Sequence, residues 1–146
     1  MSVSTPHPPS PVALGLGYLA VLPFVVGALL VWVAGAGWHA TVSQALSAYA
    51  AVVISFIGAI HWGFAFPQST PAPRLFVWGV VPSLVAWVAV LQAPRIGLLI
   101  HAAMLVTCYL VDRVAYPRQD AAAWLPLRLR LTLFATVSCL VGAAGS

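Results

Sequence analysis

Lysine and glutamate are absent from this 146-residue chain, and only two aspartates, Asp112 and Asp120, carry negative charge. Charged residues are 5% of the sequence, against about a quarter in a soluble domain. Water does not solvate a surface so poor in charge, so an ordinary soluble domain is excluded and lipid is the main solvent. Cysteine is nearly as scarce. Cys108 and Cys139 lie in separate apolar runs with no CxxC spacing, which indicates neither a zinc site nor a disulfide framework. Both read as small buried or lipid-facing hydrophobes. No Walker loop, HExxH, GxGxxG or nucleophile triad occurs, so the chain is not expected to be an enzyme, and no metal or cofactor is expected.

Apolar sequence fills the space left by these absences. The chain is 62% hydrophobic, with a mean hydropathy of +1.03. Residues 1–11 are rich in Ser and Pro and are expected to form a disordered tail. Residues 12–146 are expected to form one transmembrane domain. Its apolar runs, at about 12–34, 41–66, 74–91, 96–116 and 125–144, are each long enough to span a bilayer. Gly35-Ala36-Gly37, the prolines 67, 71 and 73, Ala93-Pro94 and Pro117 punctuate them. The first run lacks the basic lead-in and short apolar core of a cleaved signal, so it reads as a retained helix, the alternative being a signal cleaved near Ala34-Gly35-Ala36. The expected fold is all-α: a polytopic bundle of five transmembrane helices.

The net charge of +4 comes from six arginines. They sit at span edges rather than in a basic tract, so despite a pI near 9.7 no nucleic-acid partner is expected. Arg74, Arg113, Arg118, Arg128 and Arg130 fall on one side of a five-span chain and Arg95 alone on the other. The positive-inside rule makes the first side cytoplasmic, an N-in/C-out topology.

Helical periodicity assigns faces. On the second span Gln44, Ser47, Ala51, Ile54, Ser55, Gly58, His61, Trp62 and Ala65 share one arc, small and polar, which is expected to face protein. Val52, Val53, Phe56, Ile57, Ile60 and Phe64 make the opposite, lipid-facing side. On the fourth span Gly97, His101, Met104, Leu105, Cys108 and Asp112 form a single stripe.

Depth then selects a candidate site. His61, Asp112, Arg128 and Arg130 all lie within about one turn of the arginine-rich ends of their spans. A carboxylate near hydrocarbon needs a partner. Asp112 is therefore expected to pair with Arg128 rather than with Arg113, which points about 100° away around the helix. Arg128 and Arg130 are two apart, so one of them snorkels to the interface. In a proton or anion site His61 and Asp112 would titrate together, one arginine would supply charge and Trp62 a wall. In the plainer reading the same groups hold the bundle together. Gln44, Ser55 and His101 would extend a polar track toward the other side. Haem ligation by His61 and His101 is disfavoured because their depths differ by about 9 Å. His7 and His39 read as solvated.

Several stretches carry a resemblance: Ser55-Phe56-Ile57-Gly58-Ala59-Ile60-His61-Trp62-Gly63, Val80-Val81-Pro82-Ser83-Leu84-Val85-Ala86-Trp87, and Leu127-Arg128-Leu129-Arg130-Leu131-Thr132 with its lead-in Trp124-Leu125-Pro126. Together with Asp112 they resemble the motifs of a small membrane-protein family. That family is a domain of unknown function, widespread in proteobacteria and present in a mitochondrial transmembrane protein of animals. The resemblance covers about residues 14–142, with Ala59 standing where members often have Gly. It implies a five-span protein of the bacterial inner membrane and no particular activity. Three functions remain open: an accessory or structural protein packed in the bilayer, within a larger membrane complex or a homo-oligomer; a small transporter or channel for protons or an anion; and a quinone- or haem-binding protein.

Overall fold

Proline and glycine divide the chain into its helices. The structure, a computed structural model, describes residues 8–146. The expected tail therefore lies outside the described residues as far as residue 7, His7 included. Ser10 already caps a helix, its hydroxyl accepting from Ala13 N–H at 3.2 Å. The helices are α1 (Pro11–Leu19), α2 (Leu22–Val33), α3 (Ala36–Ala65), α4 (Pro73–Val90), α5 (Pro94–Ala115) and α6 (Leu125–Gly145). Short 3-10 turns at Tyr116–Gln119 and Ala122–Trp124 join the last two. Taken as α1–α2, α3, α4, α5 and α6, five helical segments among the described residues are long and apolar enough to cross a membrane. The fold is an all-α, multi-pass membrane bundle.

The first span is interrupted. Pro23 offers no N–H and its ring crowds the carbonyl four residues back, so the helix breaks at Ala20–Val21. Tyr49 of α3 donates its hydroxyl to the Ala20 carbonyl at 2.8 Å, supplying a partner at the break. Pro82 lies inside an unbroken α4, so the two prolines act differently. The second span begins at Ala36, five residues before its expected start at Thr41. Ala34 and Gly35, both extended, make the turn, and Gly37 enters the first helical turn.

α3 is the central helix, packed on α2, α4, α5 and α6. Its buried stripe is Ser43, Leu46, Ser47, Ala50, Ile54, Ile57, Gly58, His61 and Ala65. Ile57, expected toward lipid, is 4% exposed, because neighbours on several sides enclose more of α3 than a small-residue arc predicts. Trp62, expected toward protein, is 39% exposed. Small residues set the close approaches: a Cβ on Gly58 would lie 3.0 Å from the Gly79 carbonyl oxygen. α1 has no buried residue. An apolar groove of about 810 Å³ separates it from α3, with walls that include Leu16, Phe24, Val53, Phe56 and Leu131.

Because neighbouring spans run in opposite directions, Arg74, Arg113, Arg118, Arg128 and Arg130 gather at one end of the bundle. The other end closes around the last residues of α6. There His39 Nε2 lies 2.8 Å from the Gly145 carbonyl and Trp32 donates its indole N–H to that of Val141 at 3.1 Å. His39 is thus half-buried and engaged rather than solvated.

Candidate functional site

Asp112 ends the buried stripe of α5, whose six expected members are all enclosed. Beyond it the chain turns tightly. Ala121 N–H donates to the Tyr116 carbonyl at 2.9 Å, and Asp120 takes the left-handed conformation that aspartate tolerates (φ 54°). This short connection returns α6 alongside α5, so that Arg128 in its first turn meets Asp112 in the last turn of α5.

The contact is an ion pair inside the protein. Arg128 donates to Asp112 Oδ2 from Nε at 3.0 Å and from its terminal nitrogen Nη2 at 2.6 Å. Asp112 is 0% exposed and Arg128 7%. Removing both ions from water costs several kcal/mol each, and two charge-assisted bonds to one oxygen return part of that. The second carboxylate oxygen, Oδ1, faces His61 Nε2 at 3.6 Å, beyond hydrogen-bonding distance. Among the described residues Oδ1 and both His61 ring nitrogens lack hydrogen-bond partners. Phe64 and Tyr116 cover the imidazole with ring centroids at 5.9 and 6.5 Å.

Three of the five candidate residues therefore come together: His61, Asp112 and Arg128. Trp62 does not join them. Its indole N–H donates to the Phe76 carbonyl at 2.9 Å, and its ring occupies the space that the missing side chain of Gly79 leaves on α4. Arg130 lies on the exposed face of α6 and donates to the Tyr18 hydroxyl at 3.3 Å. Phe64, placed on the lipid side by its bulk, and Tyr116, which follows the end of α5, are part of the cluster that the sequence pattern passed over.

The expected polar track is interrupted. Gln44 donates to the Val90 carbonyl at 3.1 Å. His101 is fully buried, with Nδ1 at 3.4 Å from Ser47 Oγ and Nε2 at 3.3 Å from the Ala86 carbonyl. Ser55 turns back to its own helix, donating to the Ala51 carbonyl at 2.8 Å. Between the Ser47–His101 contact and the His61–Asp112 cluster lie Ala50, Ile54, Leu105 and Cys108, each 0–1% exposed. His61 stands beside Asp112, eleven residues along α5 from His101, so the two imidazoles differ in depth by about 16 Å rather than 9 Å. They cannot ligate one haem. No three His, Cys, Asp or Glu side chains among the described residues are placed to hold a metal ion.

Comparison with known proteins agrees with this architecture. Residues 9–144 match the profile of DUF3429, a family described as protein of unknown function. The chain is similar to transmembrane protein 69 of Xenopus tropicalis, at 40% identity over 97 residues. That alignment covers 64% of this chain and 37% of the relative, so the match spans little more than a third of that protein. No solved structure matches.

Proposed function

The chain belongs to the DUF3429 family, and from that premise we propose that it is a non-enzymatic accessory protein of the bacterial inner membrane. Its buried polar groups hold helices together. One observation carries this reading: the two internal polar clusters are separated by a buried apolar layer of Ala50, Ile54, Leu105 and Cys108. A conduit for ions needs polar groups or water along its length. Most of the interior polar side chains instead tie one helix to another, as Arg128 does α6 to α5, Gln44 α3 to α4, and His101 α5 to α3 and α4. Extraction in mild detergent followed by mass spectrometry is expected to recover this chain with stable protein partners or with further copies of itself. A lone monomer at every detergent concentration would refute the accessory role.

A second reading, a small proton or anion transporter, is favoured by the unpartnered Asp112 Oδ1 and His61 nitrogens. Proteoliposomes separate the two: the accessory reading expects no proton flux above that of empty vesicles.

The proposed orientation is N-in/C-out, from the five arginines at one end against Arg95 at the other. A reporter fused after Ser146 and fluorescent only in the cytoplasm is expected to be silent, and the same reporter fused before Met1 to be bright. The reverse pattern would invert the topology.

A further inference from the structure

Beside His61, α4 and α5 part at the arginine-rich end around a crevice of about 340 Å³. We propose that this crevice binds the phosphate group of an anionic phospholipid from the adjoining leaflet. The proposal stands apart from the accessory role, which makes no use of Arg74, Arg118, Trp78 or Gln119.

The polar lining is rich in donors. Arg74 stands at the start of α4 and Arg118 in the turn after α5, and Trp78, Gln119 and His61 complete it. Among the described residues no carboxylate lines the crevice. Among the described residues neither arginine pairs with an acid, since the ion pairs there all involve Asp112, with His61 and Arg128. Gln119 has its amide oxygen occupied by Gln68 Nε2 at 2.9 Å, which leaves its N–H groups to offer.

Two further observations point to an anion. α4 begins at this crevice without a cap: Ala72 provides no side-chain acceptor, and no acidic residue stands in the first turn. The positive end of an 18-residue helix is thereby left for an external acceptor. Among the described residues the Trp78 indole N–H on the crevice wall is buried without an acceptor, while His61, at the floor, turns its Nε2 toward Asp112 Oδ1 at 3.6 Å. An orphaned buried donor costs about 1–3 kcal/mol, and an anion seated beside Trp78 relieves that cost.

The remaining walls identify the source as lipid. Val77 and Val114 are 62% and 53% exposed, on faces that a bilayer covers. They line the same crevice with Val111, so an acyl chain running down the valines places its phosphate at the level of Arg74 and Arg118. Basic recesses between helices near the membrane surface bind anionic headgroups in this manner.

The test is native mass spectrometry of the full chain titrated with phosphatidylglycerol or phosphatidylcholine in one detergent, with inorganic phosphate as a third ligand. Phosphatidylglycerol is expected to bind in preference to phosphatidylcholine. Arg74→Gln and Arg118→Gln should each weaken it about fivefold and the pair about thirtyfold, at about one unit of surface attraction per arginine. Arg113→Gln, at the same end but outside the crevice, should leave binding unchanged. Trp78→Phe, which keeps an aromatic ring and removes the donor, should weaken it as well. Equal loss with Arg113→Gln would overturn the site in favour of diffuse attraction. Equal binding of phosphatidylcholine would overturn the anionic preference. Saturation by millimolar inorganic phosphate without lipid would overturn the lipid source.

Discussion

Asp112→Asn lowers the stability of the purified protein by about 3–5 kcal/mol, and Arg128→Gln does the same: this is the outcome expected of breaking a buried ion pair from either side. Each single change leaves a group that was desolvated for the sake of its partner. In Asp112→Asn, the Arg128 guanidinium stays 7% exposed with its charge uncompensated. In Arg128→Gln, the carboxylate is left with His61 at 3.6 Å and no charge-assisted hydrogen bond. The double variant Asp112→Asn/Arg128→Gln should lose much less than the sum, because the second substitution removes the orphan that the first created. Asp112→Leu/Arg128→Met should come closest to the parent, since apolar groups of similar volume suit a site with lipid on its outer side. Reversible unfolding in mixed micelles, followed by circular dichroism, measures all four. Single variants as stable as the parent would remove the structural role and favour the proton or anion reading. Additive losses would show that the two side chains act separately.

That pair was legible in the sequence because its logic is one of cost. The chain has one aspartate inside a span, and an intramembrane charge without a partner is expensive. Arg128 is the arginine that a short connection returns to the same depth on a facing helix. The α5 stripe was legible for a related reason: six residues at helical spacing, two of them ionisable, have one way to stay out of lipid. The faces of α3 were harder. Residue type separates small from bulky, but bulk does not reveal how many neighbours surround a helix, and Ile57 is enclosed because α3 is central. Trp62 depended on a partner the wheel does not contain. Gly79, on another helix, leaves the gap that its ring fills, and the Phe76 carbonyl accepts its N–H. The α4–α5 crevice was hidden because Arg74 and Arg118, read only as topology markers, lie far apart in sequence and meet through the antiparallel return of two spans.

Gly97→Val should be the other large loss, about 3 kcal/mol, at the upper end of what overpacking costs. The ranking follows from the solvent. In a bilayer an unfolded helix keeps its apolar side chains in lipid, so burying them returns packing rather than the full water-to-core transfer. A truncation such as Ile54→Ala, at a position 0% exposed, should therefore cost less than the 2–5 kcal/mol usual in water-soluble cores. Adding atoms where backbones touch has no such relief. A Cβ at Gly97 would lie 2.5 Å from the Ala89 carbonyl oxygen and 3.1 Å from Ser47 Oγ. A carbonyl within the last turn of α4 cannot rotate away as a flexible side chain can. Only Leu91–Ala93 joins α4 to α5, which leaves little slack for the helices to part. The strain also reaches His101, one turn further along α5, whose Nδ1 contact with Ser47 Oγ is already 3.4 Å. Gly63→Val is the matched control: a Cβ there has no contacts within 4 Å, so the change should stay within about 0.5 kcal/mol. Unfolding of both variants in the same micelles decides the point. Equal, small losses at the two glycines would mean that α4 and α5 yield at their junction, and that close backbone packing does not set the geometry of this bundle.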